Sequence, residues 1–113
     1  MLPDDVRALA RLLPEVIEGA HRGHPDFRVG GKILATLWTE EDRVVVKLTP
    51  EWQALMTEAQ PDVFEPIAGS WDARGWTNVD LNSADEDTLR HALLSAWRTV
   101  APRRLVAAFE PSA

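Results

Sequence analysis

The stretch from residue 27 to residue 48 constrains the fold more than any other part of the chain, because it alternates strand-forming runs with turn signals. Gly30 and Gly31 separate the first run from the second, and adjacent glycines tolerate the positive φ angles that a two-residue hairpin turn requires. The acidic stretch 39–42 then reverses the chain into a third run, which is rich in valine. These turns predict an antiparallel meander.

Two short amphipathic helices are predicted on either side of this meander. The first ends at Pro14, and the second begins with Thr49 as its N-cap and Pro50 at its first helical position. Both show the i, i+3, i+4 spacing that places apolar residues on one face of a helix. These faces, which we predict to enter the core, consist of Val6, Leu9, Ala10 and Leu13 in the first helix and Trp52, Leu55, Met56 and Ala59 in the second.

A third and longer helix is predicted between Ser83 and Pro102. Ser83 and Glu86 have the spacing of a capping box, and Pro102 stops the helical pattern. Arg103 and Arg104 follow this proline and are interpreted as a solvated tail. The apolar face of the helix consists of Leu89, Leu93, Ala96, Trp97 and Val100.

The remaining strand-like segments complete the fold prediction. Val16 and Ile17 begin a strand before the meander, and the segments 63–65 and 76–81 form two more strands after the second helix. The predicted order is therefore α-βββ(β)-α-ββ-α, an α+β fold in which helices flank an antiparallel sheet. A chain of 113 residues has enough interior for one core, so residues 1–113 are predicted to form a single domain.

The composition limits the compartment in which the protein is expected and the kinds of site that it can form. The absence of cysteine excludes disulfides, zinc–thiolate sites and a thiol nucleophile. Acidic residues near the N-terminus, and no apolar run near the ~18 residues of a membrane span, predict a cytoplasmic protein without a membrane segment. The formal charge of −6 argues against strong general binding to nucleic acid. The segment between residues 22 and 47, however, contains five basic and four acidic residues, so its formal charge is slightly positive.

The order and spacing of these segments resemble the MmcQ/YjbR family over nearly the whole chain. The resemblance rests on the runs Phe27–Leu37, Val46–Leu48 and Gly75–Leu81, together with the helix that ends at Pro14 and the last helix. It implies a small α+β domain similar to secretion chaperones. It also implies a DNA-binding module with a "double-wing" motif, and it supplies no catalytic residues.

Four basic residues are the candidates for contacts with DNA phosphates. They lie on or beside neighbouring predicted strands, where they would present one positive sheet face or wing. The alternative is that these long side chains cover apolar surface, keep their charge in water and pair with the acidic residues of the 39–42 turn. The four candidates are Arg28, Lys32, Arg43 and Lys47.

A second candidate contact surface consists of Trp71, Arg74 and Trp76. Aromatic side chains beside an arginine can anchor a protein partner or stack on a ligand, and Trp71 is the tryptophan that we expect to be exposed. Trp52 and Trp97 occupy helical core positions instead, and their burial is the simpler prediction.

Metal binding and catalysis have little support in the sequence. His21, His24 and Asp26 are ligand types that suit a divalent ion, but a polar strand connection explains them equally well, so no metal site is predicted. No motif for a catalytic nucleophile or a phosphate-binding loop is present, which predicts a non-enzyme without a cofactor. Three functions stay open: a DNA-binding module, a protein-interaction or chaperone-like adaptor, and a small-ligand pocket between the sheet and the last helix near Arg74 and Trp76. The protein is expected to be a monomer or a homodimer.

Overall fold

The computed structural model describes residues 1–67 and 74–109, which form one six-stranded sheet and four α-helices. The strands are β1 (Ile17–His21), β2 (His24–Val29), β3 (Lys32–Trp38), β4 (Arg43–Lys47), β5 (Phe64–Pro66) and β6 (Trp76–Asp80). The helices are α1 (Pro3–Arg11), α2 (Pro50–Ala59), α3 (Glu86–Val100) and α4 (Arg103–Phe109), and a 3-10 turn covers Thr39–Glu41.

The sheet has the order β1-β2-β3-β4-β6-β5, and every neighbouring pair is antiparallel. The predicted meander is therefore confirmed, with four strands, and so is the α+β class. Gly30 and Gly31 adopt φ angles of 59° and 81° between β2 and β3. Left-handed backbone of this kind strongly favours glycine, which explains why the sequence signal at this turn is strong.

One irregularity decides which side chains of β3 face the helices. Phe27 pairs with Ala35, whereas the next residue, Arg28, pairs with Ile33, so Leu34 is an extra residue on β3. Leu34 and Ala35 are both fully buried as a result. A bulge of this kind bends the strand and shifts its alternation, which leaves Ile33 on the same side of the sheet as Arg28.

The helices pack on one side of the sheet and form the main core there. Helix α3 packs on β3 and β4, α1 packs on α3, and α2 packs beside β5. Trp97 of α3 and Phe27 of β2 are the largest fully buried side chains in this layer. Among the described residues, no helix covers the opposite side, which we call the open face.

The helices differ from the sequence prediction at two places. Asp85, not Ser83, caps α3, because the Ser83 hydroxyl donates a hydrogen bond to Asp80 in the preceding turn. Arg103 and Arg104 begin helix α4 rather than a solvated tail, and Leu105 of that helix is buried. The tail interpretation was wrong because it weighed the two charges and overlooked the apolar residues that follow them.

The N-cap of α3 makes stability depend on pH. The Asp85 carboxylate accepts a hydrogen bond of 2.8 Å from the Thr88 backbone N–H, and this bond lowers the pKa of Asp85 below its ordinary value of 3.8. A lowered pKa in the folded state contributes stability above the unfolded-state pKa, and the contribution is lost as pH falls through the folded-state pKa. We expect acid to destabilise Asp85→Asn less than the wild type, because asparagine caps without titrating. Urea unfolding at neutral pH and at pH about 3 tests this; equal acid sensitivity would contradict it.

Candidate functional site

The central strand β4 places a cation at each end of the open face. Val44 and Val46 point into the core, so the alternation of the strand directs Arg43, Val45 and Lys47 outward. Arg43 and Lys47 are four residues apart, which corresponds to about 13 Å along a strand.

Each of these two cations lies over an indole ring from a neighbouring strand. Trp38 of β3 pairs with Arg43, whose guanidinium carbon is 4.5 Å from the ring centroid. Trp76 of β6 pairs with Lys47, whose Nζ is 5.1 Å from the ring centroid. Because a cation is attracted to the face of an aromatic ring, both side chains are held on the open face instead of extending into water.

Hydrogen bonds fix the two cations further. Arg43 donates to the Glu41 carboxylate at 3.0 Å and to the Asn78 side-chain oxygen at 2.9 Å. Lys47 donates to the Arg74 carbonyl at 2.6 Å. In the described part of the chain, no carboxylate lies within ion-pair distance of Lys47. Its charge is therefore available to an anionic ligand.

Arg28 lies on the same face, but its guanidinium forms an ion pair with a buried carboxylate. Its Nε and Nη2 donate to the two oxygens of Asp26 at 2.9 and 3.0 Å, and the Asp26 side chain is fully buried. The hydrogen bonds to this carboxylate, with its charge, raise the pKa of Arg28. Gly19 makes room for the pair, because a Cβ there would lie 3.1 Å from the Asp26 oxygen. The pair is neutral overall, so Arg28 adds little net charge to the face.

Lys32 does not join the other three basic residues. It pairs with Val29, which is buried against the helices, so Lys32 lies on the other side of the sheet from Arg28, at the exposed end of the hairpin. The sequence prediction of one surface with four cations is therefore wrong for Lys32. The cause is the two-residue turn at Gly30 and Gly31, which pairs Lys32 with Val29, so that the side chains of Lys32 and Arg28 point to opposite sides of the sheet.

The open face contains a depression of about 540 Å³ with apolar and basic lining. Its volume lies within the range of small-molecule sites, roughly 300–1,000 Å³. Of its ten lining residues in the described part of the chain none is acidic, although the chain has 18 acidic residues. A second depression of about 450 Å³, near β5, is lined by four carboxylates. The basic depression is lined by His21, Arg22, His24, Ile33, Thr36, Trp38, Arg43, Val45, Ile67 and Trp76.

The histidines near this depression do not assemble with Asp26 as ligands. The His24 ring stacks on Trp38 with centroids 3.8 Å apart, and Asp26 is occupied by Arg28. Within residues 1–67 and 74–109 there is no group of three or more histidine, cysteine, aspartate or glutamate side chains that could hold a metal ion.

The second predicted surface is only partly placed by the structure. Trp71 lies outside the described residues. Arg74 is exposed, and Trp76 is half-buried in the basic depression. Trp52, predicted to enter the core, is 40% exposed on α2, and its neighbour Leu55 is also exposed, so the core prediction for both is wrong.

Sequence reasoning missed Trp38 and Asn78 as members of the site. Trp38 was predicted to lie on a strand, but the side of the sheet to which its side chain points was not predicted. The signal was available, because Trp38 stands opposite Arg43 across a tight turn, and opposed residues on a hairpin share one face. Asn78 could not be assigned to the site in this way, because β4 and β6 are neighbours in the sheet but are not consecutive in the sequence.

Comparisons with known proteins give the family from one match and the fold from another. The YjbR family model matches residues 11–99. The crystal structure of Deinococcus radiodurans protein DR2400, with a DUF419 domain, is similar to this chain with a TM-score of 0.77 and 21% sequence identity. The match covers 97% of this chain and 86% of that one. No curated protein matches significantly. Across residues 1–67 and 74–109, no helix is long and apolar enough to span a membrane.

Proposed function

The chain belongs to the YjbR family, and we propose that it is a non-enzymatic, cytoplasmic binding module whose open face binds single-stranded DNA. The observation that carries the proposal is the pairing of Arg43 with Trp38 and of Lys47 with Trp76 around a depression whose described lining residues include no acidic one. Proteins that bind single strands combine cations for the phosphates with aromatic rings for the bases.

A single strand fits this face better than a duplex does. A duplex hides the faces of its bases and is read in the major groove by an inserted helix or a two-stranded ribbon. The ring of Trp76 lies instead on the surface of a sheet, the arrangement by which sheet-based modules stack unpaired bases. Trp38 holds Arg43 in place, because its ring is already covered by His24 and Arg43. Lys32, at the free end of the β2–β3 hairpin, is the residue that a wing-type duplex contact would use.

The local charge supports this proposal despite the net charge of −6. Among the described residues, the basic depression is lined by Arg22 and Arg43 and by no carboxylate, and Lys47 stands beside Trp76 at its margin. The charge of Arg43 is balanced in part by Glu41, so Arg22 and Lys47 supply most of the net positive charge. The carboxylates near β5 line the other depression. An anionic strand is therefore expected to lie over the basic depression and to avoid the β5 end of the sheet.

We expect Trp76→Ala to weaken binding of a short single-stranded oligonucleotide about tenfold, because one stacked base contributes roughly 1–3 kcal/mol. Lys47→Gln and Arg43→Gln should each weaken binding and reduce the slope of log K against log salt concentration by about 0.7. Fluorescence anisotropy at several salt concentrations measures both effects. Lys32→Gln is the matched control, since it removes the same charge from the other side of the sheet.

The outcomes separate the alternatives. No binding of single strands at low salt contradicts the proposal. Preferential binding of a duplex that is lost in Lys32→Gln would favour the hairpin wing instead. The adaptor function is favoured by one observation, the exposed Trp52 and Leu55 on α2. A protein bound there would lose affinity in Trp52→Ala and tolerate salt, whereas DNA binding should be unchanged in that variant.

A further inference from the structure

Strand β1 forms one edge of the sheet, and its outer side is unpaired in the described part of the chain. A free edge offers backbone N–H and C=O groups to another strand. The residues whose groups point outward can be identified from the turn that follows β1. Arg22 and Gly23 form this two-residue turn with φ angles of 53° and 82°, so the flanking pair, His21 with His24, is hydrogen-bonded.

Hydrogen-bonded and non-hydrogen-bonded pairs alternate along an antiparallel ladder. Gly19 and Ile17 therefore also bond to β2, and the backbone groups of Glu18 and Ala20 point to the free edge. Pro25 provides an independent check, because it pairs with Ala20 and has no N–H to donate. A proline fits at that position only if the pair is not hydrogen-bonded.

The β1 edge lacks the devices that usually block strand pairing. Its sequence, IEGAH, contains no proline or lysine, and its apolar residue Ile17 is 66% exposed. The charge of Glu18 is compensated inside the chain, because its carboxylate accepts hydrogen bonds from Arg7 at 3.2 Å and from Arg11 at 2.8 Å. No net charge therefore repels a second strand at this edge.

The opposite edge of the sheet is blocked. Strand β5 has only three residues, and the Ile67 N–H bonds to the Trp76 carbonyl. By the same alternation, the outward position next to Ile67 is Pro66, which lacks an N–H group. A head-to-tail chain of molecules through β1 and β5 is thus disfavoured, and a closed two-fold contact through β1 is the arrangement that remains.

We infer that β1 is a self-association site, where two copies of this chain pair antiparallel and extend the sheet across both. Centred on Gly19, this register places Glu18 of one copy opposite Ala20 of the other as hydrogen-bonded pairs. The two Gly19 residues then form the close, non-hydrogen-bonded pair, in which Cα atoms approach to about 4.5 Å. Glycine accommodates this approach, and no like charges oppose each other.

The test is the mass in solution of the full chain and its variants. Sedimentation over a range of concentrations should give twice the 12.6 kDa chain mass for the wild type at high concentration. Ala20→Pro should be monomeric, because it removes an outward N–H without touching the bonds to β2. Ala20→Thr is the matched control and should dimerise, since it keeps that N–H and suits a strand.

A second variant guards against misfolding of the proline variant. Ile17→Lys places a charge on the β1 edge at an exposed position, so it should fold like the wild type, with an unchanged circular dichroism spectrum, and be monomeric. A wild-type chain that is monomeric at every concentration overturns the inference. Dimers that persist in both Ala20→Pro and Ile17→Lys overturn it as well, because they locate the contact elsewhere.

Discussion

Replacing Gly75 by alanine is expected to lower the free energy of unfolding by about 4 kcal/mol, a size reached only by a few mechanisms. The φ angle of Gly75 is +78°, and a Cβ atom there would overlap the carbonyl oxygen of Leu48 and lie 2.9 Å from its carbonyl carbon. The obstructing atoms are backbone, so they cannot rotate away. Leu48 also donates its N–H to the Gly75 carbonyl at 2.8 Å, and any shift that relieves the overlap stretches this bond.

Gly23 supplies the matched control for this substitution. Its φ angle is +82°, but a Cβ atom there would have no atom within 4 Å. Gly23→Ala therefore carries only the conformational cost of left-handed backbone, about 1 kcal/mol. Urea unfolding followed by circular dichroism compares the two variants. Equal losses of stability would contradict the argument that the close approach to Leu48, rather than the φ angle, determines the requirement for glycine.

The sheet was predictable because its signals are local. Gly30 and Gly31 adopt the positive φ angles that adjacent glycines indicate. The polar stretch 39–42 likewise reverses the chain, and Asp42 ends this turn with a positive φ angle. Gly75 shows the limit of such reasoning. Its sequence neighbours suggest an ordinary turn, whereas its real constraint is the backbone of Leu48, just after β4, which is distant along the chain and close in space.

The candidate site was predictable only in part, for a related reason. Arg43 and Lys47 were found on one face because both lie on a single strand with regular alternation. Lys32 was misplaced for two reasons. The two-residue turn sets it on the opposite side of the sheet from Arg28, and the extra residue, Leu34, sets it on the opposite side from Arg43 as well. The partner of Arg28 was also missed: Asp26 is buried beside Gly19, and only the sheet register brings these groups together.

Trp97→Ala is expected to destabilise the fold by about 4 kcal/mol, the upper part of the range for large-to-small core substitutions. The Trp97 side chain is fully buried, and its Nε1 donates a hydrogen bond of 3.0 Å to the Pro14 carbonyl. Its ring also lies 5.1 Å from that of Phe109 in α4. The variant therefore opens a cavity, leaves the Pro14 carbonyl unpaired and removes the surface on which α4 packs.

Trp52→Ala tests whether this cost comes from position rather than from the loss of an indole. Both tryptophans occupy apolar positions of amphipathic helices, so sequence periodicity gives them the same role. Trp52 is 40% exposed and meets the His91 ring edge-on at 5.8 Å, and its removal should cost less than about 1 kcal/mol. Urea unfolding followed by circular dichroism avoids the change in fluorescence. A Trp52→Ala variant as unstable as Trp97→Ala would place α2 deeper in the core than its exposed residues indicate, whereas a large difference confirms that the apolar face of α3 is more deeply buried than that of α2.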